Sequence, residues 1–432
     1  MQYLNIIYFL IITIYGYQFL RSDGKIVKGT LNSEQSFHYS GTELFWCLTF
    51  STGLLAFSAN VGLDLMAIRL LVLEILCIIG IGCASNKIIL SFPLKLYIIY
   101  LCWLAIGLFY SPAPVFGIRT VLKYTYPLLL CLFASAVVRD DDVFFKSSLW
   151  ARIVGVISII FAFVPYIRSI IPGVFWYETA EAINYISIMV FSLGMYYFTN
   201  QKRKNLIYTI LFFAPCVLWV FRTSIMGSIV ALMAFYFIKY KLKSLPVIIG
   251  VMILGIVGVF AIPSIRQKMF YDDKVSVTDF IEGNIDEANL NTNSRSAMWE
   301  KLENKFYRND KLTGSGTGCV QAYMYIHPDE FFGLNVPHGD FTQQKCDNGL
   351  IGLIIYGAIA FFIFVDSFRT YWRARSAPLQ LCAVVAGASM AGVFVTLYSD
   401  NVVNYSMATL SMPYGFYGMM LGLRHTEQSE PV

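Results

Sequence analysis

Apolar stretches of about 17–20 residues recur along most of the chain, and short polar links separate them. A hydrocarbon layer about 30 Å thick requires an α-helix of this length, so each stretch predicts a membrane-spanning helix. The expected fold is therefore an all-α polytopic membrane protein with about 12–13 transmembrane helices. The predicted spans are 3–20, 41–59, 65–84, 94–110, 121–138, 148–165, 183–199, 205–221, 223–238, 246–262, 349–368, 379–397 and 406–423.

Composition supports this interpretation and excludes a soluble globular protein. Of the 432 residues, 57% are hydrophobic and only 14% are charged, which is too few to cover a soluble surface of this size. Seven of the nine cysteines lie inside apolar stretches, where they act as small buried hydrophobic residues. Cys319 and Cys346 lie in polar sequence, where an oxidising compartment would permit a disulfide that spacing alone does not predict. No cysteine–histidine cluster has the spacing of a metal site.

One long polar segment, 263–348, divides the chain into three regions. The regions are N-terminal transmembrane helices at 1–262, the polar segment, and C-terminal helices with a tail at 349–432. Basic clusters at 202–204, 239–243 and 369–375 belong in the cytoplasm by the positive-inside rule, which puts the polar segment on the opposite, periplasmic side of a bacterial inner membrane. With the C-terminal tail in the cytoplasm, a total of thirteen spans would put the N-terminus on the periplasmic side.

Two arginines are candidates for binding an anion. Arg222 interrupts a very long apolar stretch, and Arg295 begins a short helical pattern in which Trp299 lies one turn further on the same face. A guanidinium matches phosphate oxygens with two parallel hydrogen bonds and keeps its charge. Alternatively, Arg222 extends its charged group to the membrane surface at a hairpin tip. The alternative for Arg295 is an amphipathic helix that lies on the membrane with Trp299 at the interface.

His338 is the candidate general base. Pro337 precedes it and Gly339 follows it, just before a predicted span. An imidazole is suited to accepting a proton from a sugar hydroxyl, although a single histidine is more often structural. Asp340 is close enough in sequence to orient the ring.

Four further residues are predicted at outer helix ends and could support such a site. Asp400 and Asn401 end an apolar span, and they could bind a sugar, orient the histidine or satisfy loop backbone groups. Arg119 and Lys123 could add positive charge on the same side.

The order of these features resembles the O-antigen ligase/polymerase superfamily of bacterial envelope glycosyltransferases. The resemblance covers 205–423, and it departs from the family at Gly339, where an asparagine is common. The matching motifs are Phe-Arg-Thr-Ser at 221–224, Arg-x-x-x-Trp at 295–299, Gly-x-Gly-x-Gly at 314–318, His-x-Asp-Phe at 338–341, Gly-Leu-Ile-Gly at 349–352 and Ser-Asp-Asn at 399–401.

What the resemblance implies is transfer of a glycan from undecaprenyl diphosphate to an acceptor sugar hydroxyl, in the periplasm and without a metal or other cofactor. Arg222 and Arg295 would stabilise the diphosphate, and His338 would take the hydroxyl proton. The acceptor would be a second lipid-linked repeat in a polymerase, or lipid A–core in a ligase of lipopolysaccharide biosynthesis. A chain-length-regulating co-polymerase is a further candidate partner, and nothing indicates a nucleic acid.

Three classes of function remain: a periplasmic glycosyltransferase, a transporter or flippase, and a scaffold subunit. The motifs themselves fit both a surface-polysaccharide polymerase and a ligase. The polymerase is preferred because the first predicted span is additional to the twelve usual in the ligases, and because polymerases vary with every surface polysaccharide and are the commoner sequences. A transporter or flippase predicts internal repeats and charges near the bilayer midplane, and the sequence shows neither clearly. A scaffold subunit of an envelope complex would not need three basic residues on one face.

Overall fold

The structure is a computed structural model that describes residues 27–32, 35–52, 54, 57–59, 65–163, 174–176, 178–270, 278, 291, 295–331 and 333–429. The predicted first span, 3–20, lies outside the described residues. A helix overlaps each of the other twelve predicted spans, although at 41–59 it covers only the first twelve residues. The helices are α1 (Gly41–Thr52), α2 (Leu65–Cys83), α3 (Phe92–Tyr110), α4 (Pro114–Val137), α5 (Asp141–Phe163), α6 (Glu178–Phe198), α7 (Lys202–Leu218), α8 (Arg222–Tyr240), α9 (Leu245–Ala261), α10 (Pro263–Met269), α11 (Arg295–Leu302), α12 (Cys319–Ile326), α13 (Asp340–Arg373), α14 (Ala377–Thr396), α15 (Ser406–Thr409) and α16 (Ser411–Ser429).

Six helical segments of the described chain are long and apolar enough to cross a membrane, which supports the prediction of a membrane protein. One of the six, Arg222–Ala261, contains both α8 and α9. The total of 12–13 spans and the side of the membrane on which each loop lies stay predictions.

Four short strands accompany the helices, and the all-α prediction did not include them. β1 (Val27–Asn32) pairs antiparallel with β2 (Gln35–Tyr39), and β3 (Phe57–Ala59) pairs antiparallel with β4 (Val174–Trp176). The predicted span at 41–59 is thus a 12-residue helix followed by a turn and a strand. A helix of that length covers only about 18 Å, which is less than a hydrocarbon layer.

Helix α14 lies at the centre of the bundle. It packs against α6, α8, α13 and α16, and most of its side chains are buried. Small residues such as Gly387 and Gly392 allow this close packing, because a Cβ at Gly392 would come within 2.6 Å of the Gly227 carbonyl oxygen of α8. The main core therefore forms around one helix of small and aliphatic residues.

Helix α9 lies at the periphery instead. It is apolar on every face and has no buried residue, and its main contacts are with α8, the turn that follows α8, and α10. A helix that is hydrophobic all round and exposed is typical of a surface facing lipid.

The polar segment has a small hydrophobic core of its own. α11, a one-turn π-helix at Glu303–Tyr307, α12 and the start of α13 pack together at one end of the bundle. The buried residues of this second core are Met298, Leu302, Phe306, Cys319, Val320, Met324, Phe331 and Cys346. Its two cysteines, Cys319 and Cys346, are free buried thiols in the structure. Burial, together with the charge of Asp347, raises the pKa of Cys319 to about 12.

The glycine motif at 314–318 attaches the polar segment to the bundle. All three of its glycines have positive φ, and a Cβ at Gly318 would lie 2.3 Å from the Gly117 amide nitrogen of α4. The carboxylate of Asp347 accepts the N–H groups of Gly318 and Val320 at 3.2 and 2.8 Å. Asp347 therefore already satisfies these two N–H groups. The motif serves to pack the polar segment closely against α4 and the start of α13.

Candidate active site at the end of the helix bundle

Arg222 lies at the start of α8, directly after a tight turn in which Val220 has a φ of +53°. Its Nη1 donates hydrogen bonds to the backbone carbonyl oxygens of Lys268, at 2.6 Å, and of Asn291. A half-buried guanidinium thus joins the beginning of α8 to the segment that follows α9.

The residue after Arg222 connects α8 to the end of α14. The hydroxyl groups of Thr223 and Ser399 lie 3.1 Å apart, within hydrogen-bond distance. Arg295, the first residue of α11, donates a hydrogen bond from Nη1 to the carbonyl oxygen of the same Ser399. Ser399 is therefore the point at which the two predicted anion-binding segments meet.

Arg295 is half-buried, and the rest of its guanidinium has no hydrogen-bond partner among the described residues. Burial lowers the pKa of Arg295, and the negative charge of Asp400 opposes that shift. A guanidinium has five N–H donors and an ordinary pKa above 12, so Arg295 stays charged and keeps donors for an anion.

His338 has left-handed backbone geometry, with a φ of +44°. The indole N–H of Trp299 donates to the carbonyl oxygen of Pro337 at 2.7 Å, which holds the loop just before the histidine. After the histidine, a Cβ at Gly339 would lie 3.0 Å from the Trp299 ring. Trp299 therefore positions the histidine loop from both sides, and its ring also contacts Tyr398 at a centroid distance of 5.6 Å.

The carboxylate that faces His338 belongs to Asp400. The distance from His338 Nδ1 to Asp400 Oδ1 is 3.9 Å, and the histidine side chain is 28% exposed. That separation is too long for a hydrogen bond but short for an ion pair once the imidazole is protonated. His338 Nδ1 is buried and has no hydrogen-bond partner among the described residues.

Asp340, which the sequence suggested as the orienting carboxylate, contacts the loop that follows α14. It is buried, and its Oδ2 accepts the N–H of Val403 at 3.0 Å. Its own N–H donates to the Leu397 carbonyl oxygen at 2.9 Å. Asp340 therefore fixes the loop after α14, which carries Asp400, against the start of α13.

Asn401 and Lys123 lie in or beside the same loop. The N–H of Asn401 donates to Asp400 Oδ1 at 2.8 Å, whereas its buried side-chain Oδ1 has no hydrogen-bond partner in the described part of the chain. Lys123 Nζ donates to Asn404 Oδ1 at 2.5 Å. Arg119, one turn earlier on α4, is exposed and lies 5.8 Å from the ring of Phe116.

The structure thus gathers the segments of Arg222, Arg295, His338 and Asp400 at one end of the bundle, linked through Ser399. Thr223 and Ser399 were not predicted as site residues, although both occur in the quoted motifs beside Arg222 and Asp400. Hydroxyl residues are common in membrane helices, and only the contact between these two distinguishes them. No cluster of three or more metal-binding side chains occurs among the described residues.

No protein-family model matches the chain, and no curated protein is significantly similar to it. The resemblance to the O-antigen ligase/polymerase superfamily therefore stays a prediction.

Proposed function

We propose that this protein is a membrane glycosyltransferase that moves a glycan from undecaprenyl diphosphate to an acceptor sugar hydroxyl. The observation that carries the proposal is the arrangement of His338 opposite Asp400, with Arg295 bound to the adjacent Ser399. This reaction needs a base, a carboxylate that can face the protonated base, and a charged guanidinium.

The proton of the acceptor hydroxyl goes to His338. As the hydroxyl oxygen attacks the anomeric carbon, the imidazole takes its proton and becomes positively charged. Asp400 then lies 3.9 Å from a cation, and the attraction stabilises the protonated ring. The unpartnered, buried Nδ1 of His338 fits a group whose partner changes during a reaction.

The electrons of the breaking bond go to the diphosphate. Cleavage between the anomeric carbon and the phosphate oxygen releases undecaprenyl diphosphate with one additional negative charge. The N–H groups of Arg295 that remain available can stabilise this charge by donating paired hydrogen bonds to phosphate oxygens. Arg222 precedes Thr223, which contacts Ser399, and its positive charge would add to the potential at this end of the bundle.

The positions of the basic clusters support a periplasmic site. Helix α8 begins at Arg222, and it ends close to Lys239 and Lys241. Helix α13 begins beside His338 and ends at Arg373. The candidate site and the basic clusters therefore lie at opposite ends of the same helices, and α8 alone is about 28 Å long. If the basic ends face the cytoplasm, the site faces the periplasm.

Polymerase and ligase would use the same groups and would differ only in the acceptor. We favour the polymerase, with a second lipid-linked repeat as acceptor, because of the additional predicted span at 3–20. In a deletion strain, loss of a polymerase should leave a single repeat on lipid A–core. Loss of a ligase should instead leave bare core while lipid-linked polymer accumulates.

The reaction itself is tested with purified protein and a lipid-linked repeat, in the presence of a chelator. The expected result is a ladder of longer lipid-linked glycans, or a core–glycan product when lipid A–core is supplied. If the lipid-linked substrate stays intact with every acceptor, although the thermal transition shows that the protein is folded, the glycosyltransferase proposal is contradicted. Transport of the lipid-linked repeat across proteoliposomes without any extension would favour a flippase.

A further inference from the structure

A cavity lies at the end of the bundle opposite His338. It has a volume of about 550 Å³ and lies between the end of α13, the turn that leads into α14, and the last turns of α16. The charged residues that line it are Asp366, Arg369, Arg373, Arg375, Arg424 and Glu427. We call this cavity the arginine cleft.

Both carboxylates of the arginine cleft already have partners. Asp366 pairs with Arg424 at 2.7 Å, and its second oxygen accepts the hydroxyl of Tyr417 at 2.7 Å. Glu427 accepts the backbone N–H groups of Arg375 and Ser376, each at 2.9 Å. These contacts hold the walls of the cleft together and leave an excess of positive charge inside it.

The side chains of the three other arginines make no hydrogen bond or close ion pair among the described residues, although the charge of Arg375 helps to lower the pKa of Glu427. Arg369, Arg373 and Arg375 are all exposed. Arg369 and Arg373 lie one turn apart on the same face of α13, so their charges repel each other. An anion between them would relieve this repulsion, and a phosphate would also match the paired donors of each guanidinium.

The neighbouring surface has the features of a membrane interface. Trp372 is 45% exposed, and its indole N–H donates to the carbonyl oxygen of Ile238 at 2.8 Å. The ammonium group of Lys241 lies 3.7 Å from the centroid of its ring. Tryptophan concentrates at the level of lipid headgroups, and basic residues there attract anionic lipids.

We propose that the arginine cleft binds a phosphate group, carried by the headgroup of an anionic lipid or by a soluble phosphate. Arg369, Arg373 and Arg375 hold the phosphate oxygens, while the Asp366–Arg424 pair keeps the cleft in shape. This site is separate from the candidate active site, because it lies at the other end of α13.

The test measures the thermal transition of the purified protein in detergent micelles. The additions are phosphatidylglycerol, phosphatidylcholine as the neutral reference, and inorganic phosphate. A ligand that binds only the folded state raises the transition temperature, and the rise grows with the logarithm of the ligand concentration relative to its Kd. A rise with phosphatidylglycerol alone identifies a lipid headgroup, and a comparable rise with inorganic phosphate identifies a soluble ligand.

The variant that decides the question is Arg369→Gln/Arg373→Gln/Arg375→Gln, which should bind the effective ligand at least tenfold more weakly. Should this variant be poorly folded, Arg369→Lys/Arg373→Lys keeps the charge and should still weaken binding, because an ammonium cannot form the paired contact. Equal stabilisation by phosphatidylcholine, or an unchanged response in both variants, would overturn the proposal.

The matched control is Lys202→Gln/Arg203→Gln/Lys204→Gln. It removes three exposed charges at the start of α7, which the basic-cluster pattern places at the same end of the molecule and which do not line the cleft. This control should respond to the effective ligand like the unaltered protein. An equal loss of response in the control would indicate general attraction between charges and would also overturn the proposal.

Discussion

His338 Nδ1 lies 3.9 Å from Asp400 Oδ1, because the loop before α13 and the loop after α14 meet at the same end of the bundle. The loop of Asp400 is held by the buried carboxylate of Asp340, and the loop of His338 is held by Trp299. The pair is thus set in place by contacts on both sides, which is what a catalytic base and its carboxylate require.

Replacing His338 with asparagine should lower the turnover number at least 100-fold, because a general base contributes roughly 10²- to 10⁴-fold to a rate. Asparagine tolerates the left-handed φ of +44° better than most residues, so expression and thermal stability should change little. The matched control is His327→Asn, which alters an exposed histidine packed on Tyr323. Near-normal turnover in His338→Asn would exclude the histidine as the base.

The two carboxylates should differ in the property that they support. Asp400→Asn should lower turnover by about tenfold, equivalent to roughly 1.4 kcal/mol, with little change in thermal stability. Asp340→Ala should instead lower the free energy of unfolding by about 1–3 kcal/mol, because the N–H of Val403 loses its buried acceptor. Turnover per folded molecule and thermal denaturation separate the two effects. The reverse pattern would make Asp340 the functional partner.

Arg295→Lys should lower turnover about 100-fold although the charge is kept. A lysine can still contact the Ser399 carbonyl oxygen, but it cannot donate two parallel hydrogen bonds to a phosphate. Arg222→Lys should act in the same direction. Arg308→Lys, an exposed substitution in the same polar segment, is the control and should be neutral. Full activity in Arg295→Lys would mean that charge alone suffices.

Gly339→Ala should lower turnover about tenfold by displacing the His338 loop, because the added Cβ meets the Trp299 ring at 3.0 Å. Trp299→Phe should relieve part of that contact, so the double variant should be less impaired than the two single effects combined. A double-mutant cycle on turnover measures this coupling. Strictly additive effects would show that the ring does not act on the loop through Gly339.

The glycine motif at 314–318 should matter for stability through packing as well as through backbone geometry. Gly318→Ala combines a φ of +85° with a Cβ placed 2.3 Å from the Gly117 amide nitrogen, so it should cost at least about 3 kcal/mol. Gly333→Ala has a similar φ of +77° but open space around its Cβ, and it should cost only about 1 kcal/mol. Denaturant titration compares the two, and equal costs would remove the packing explanation.

The helices were largely predictable because the cause of each is local. A run of apolar residues of bilayer length has to form a helix in lipid, since every backbone group needs a partner within the segment. Twelve of the predicted spans accordingly overlap helices. The predicted span start at Gly349 matches a non-helical residue, with a φ of 66°, inside α13. The span at 41–59 was wrong in its second half, where a strand pair with 174–176 replaces the helix.

The sequence by itself determined the helices, the polar segment and the residue types suited to the proposed chemistry, because hydropathy and charge act over short distances along the chain. Only the tertiary structure decided that Ser399 joins the segments of Arg222 and Arg295, and that Asp400 rather than Asp340 faces His338. Asp340 lies just before one predicted span and Asp400 lies at the end of another, so the sequence alone does not distinguish their roles. Their roles depend on how α13 and α14 pack, and that packing is set by contacts between residues far apart in sequence.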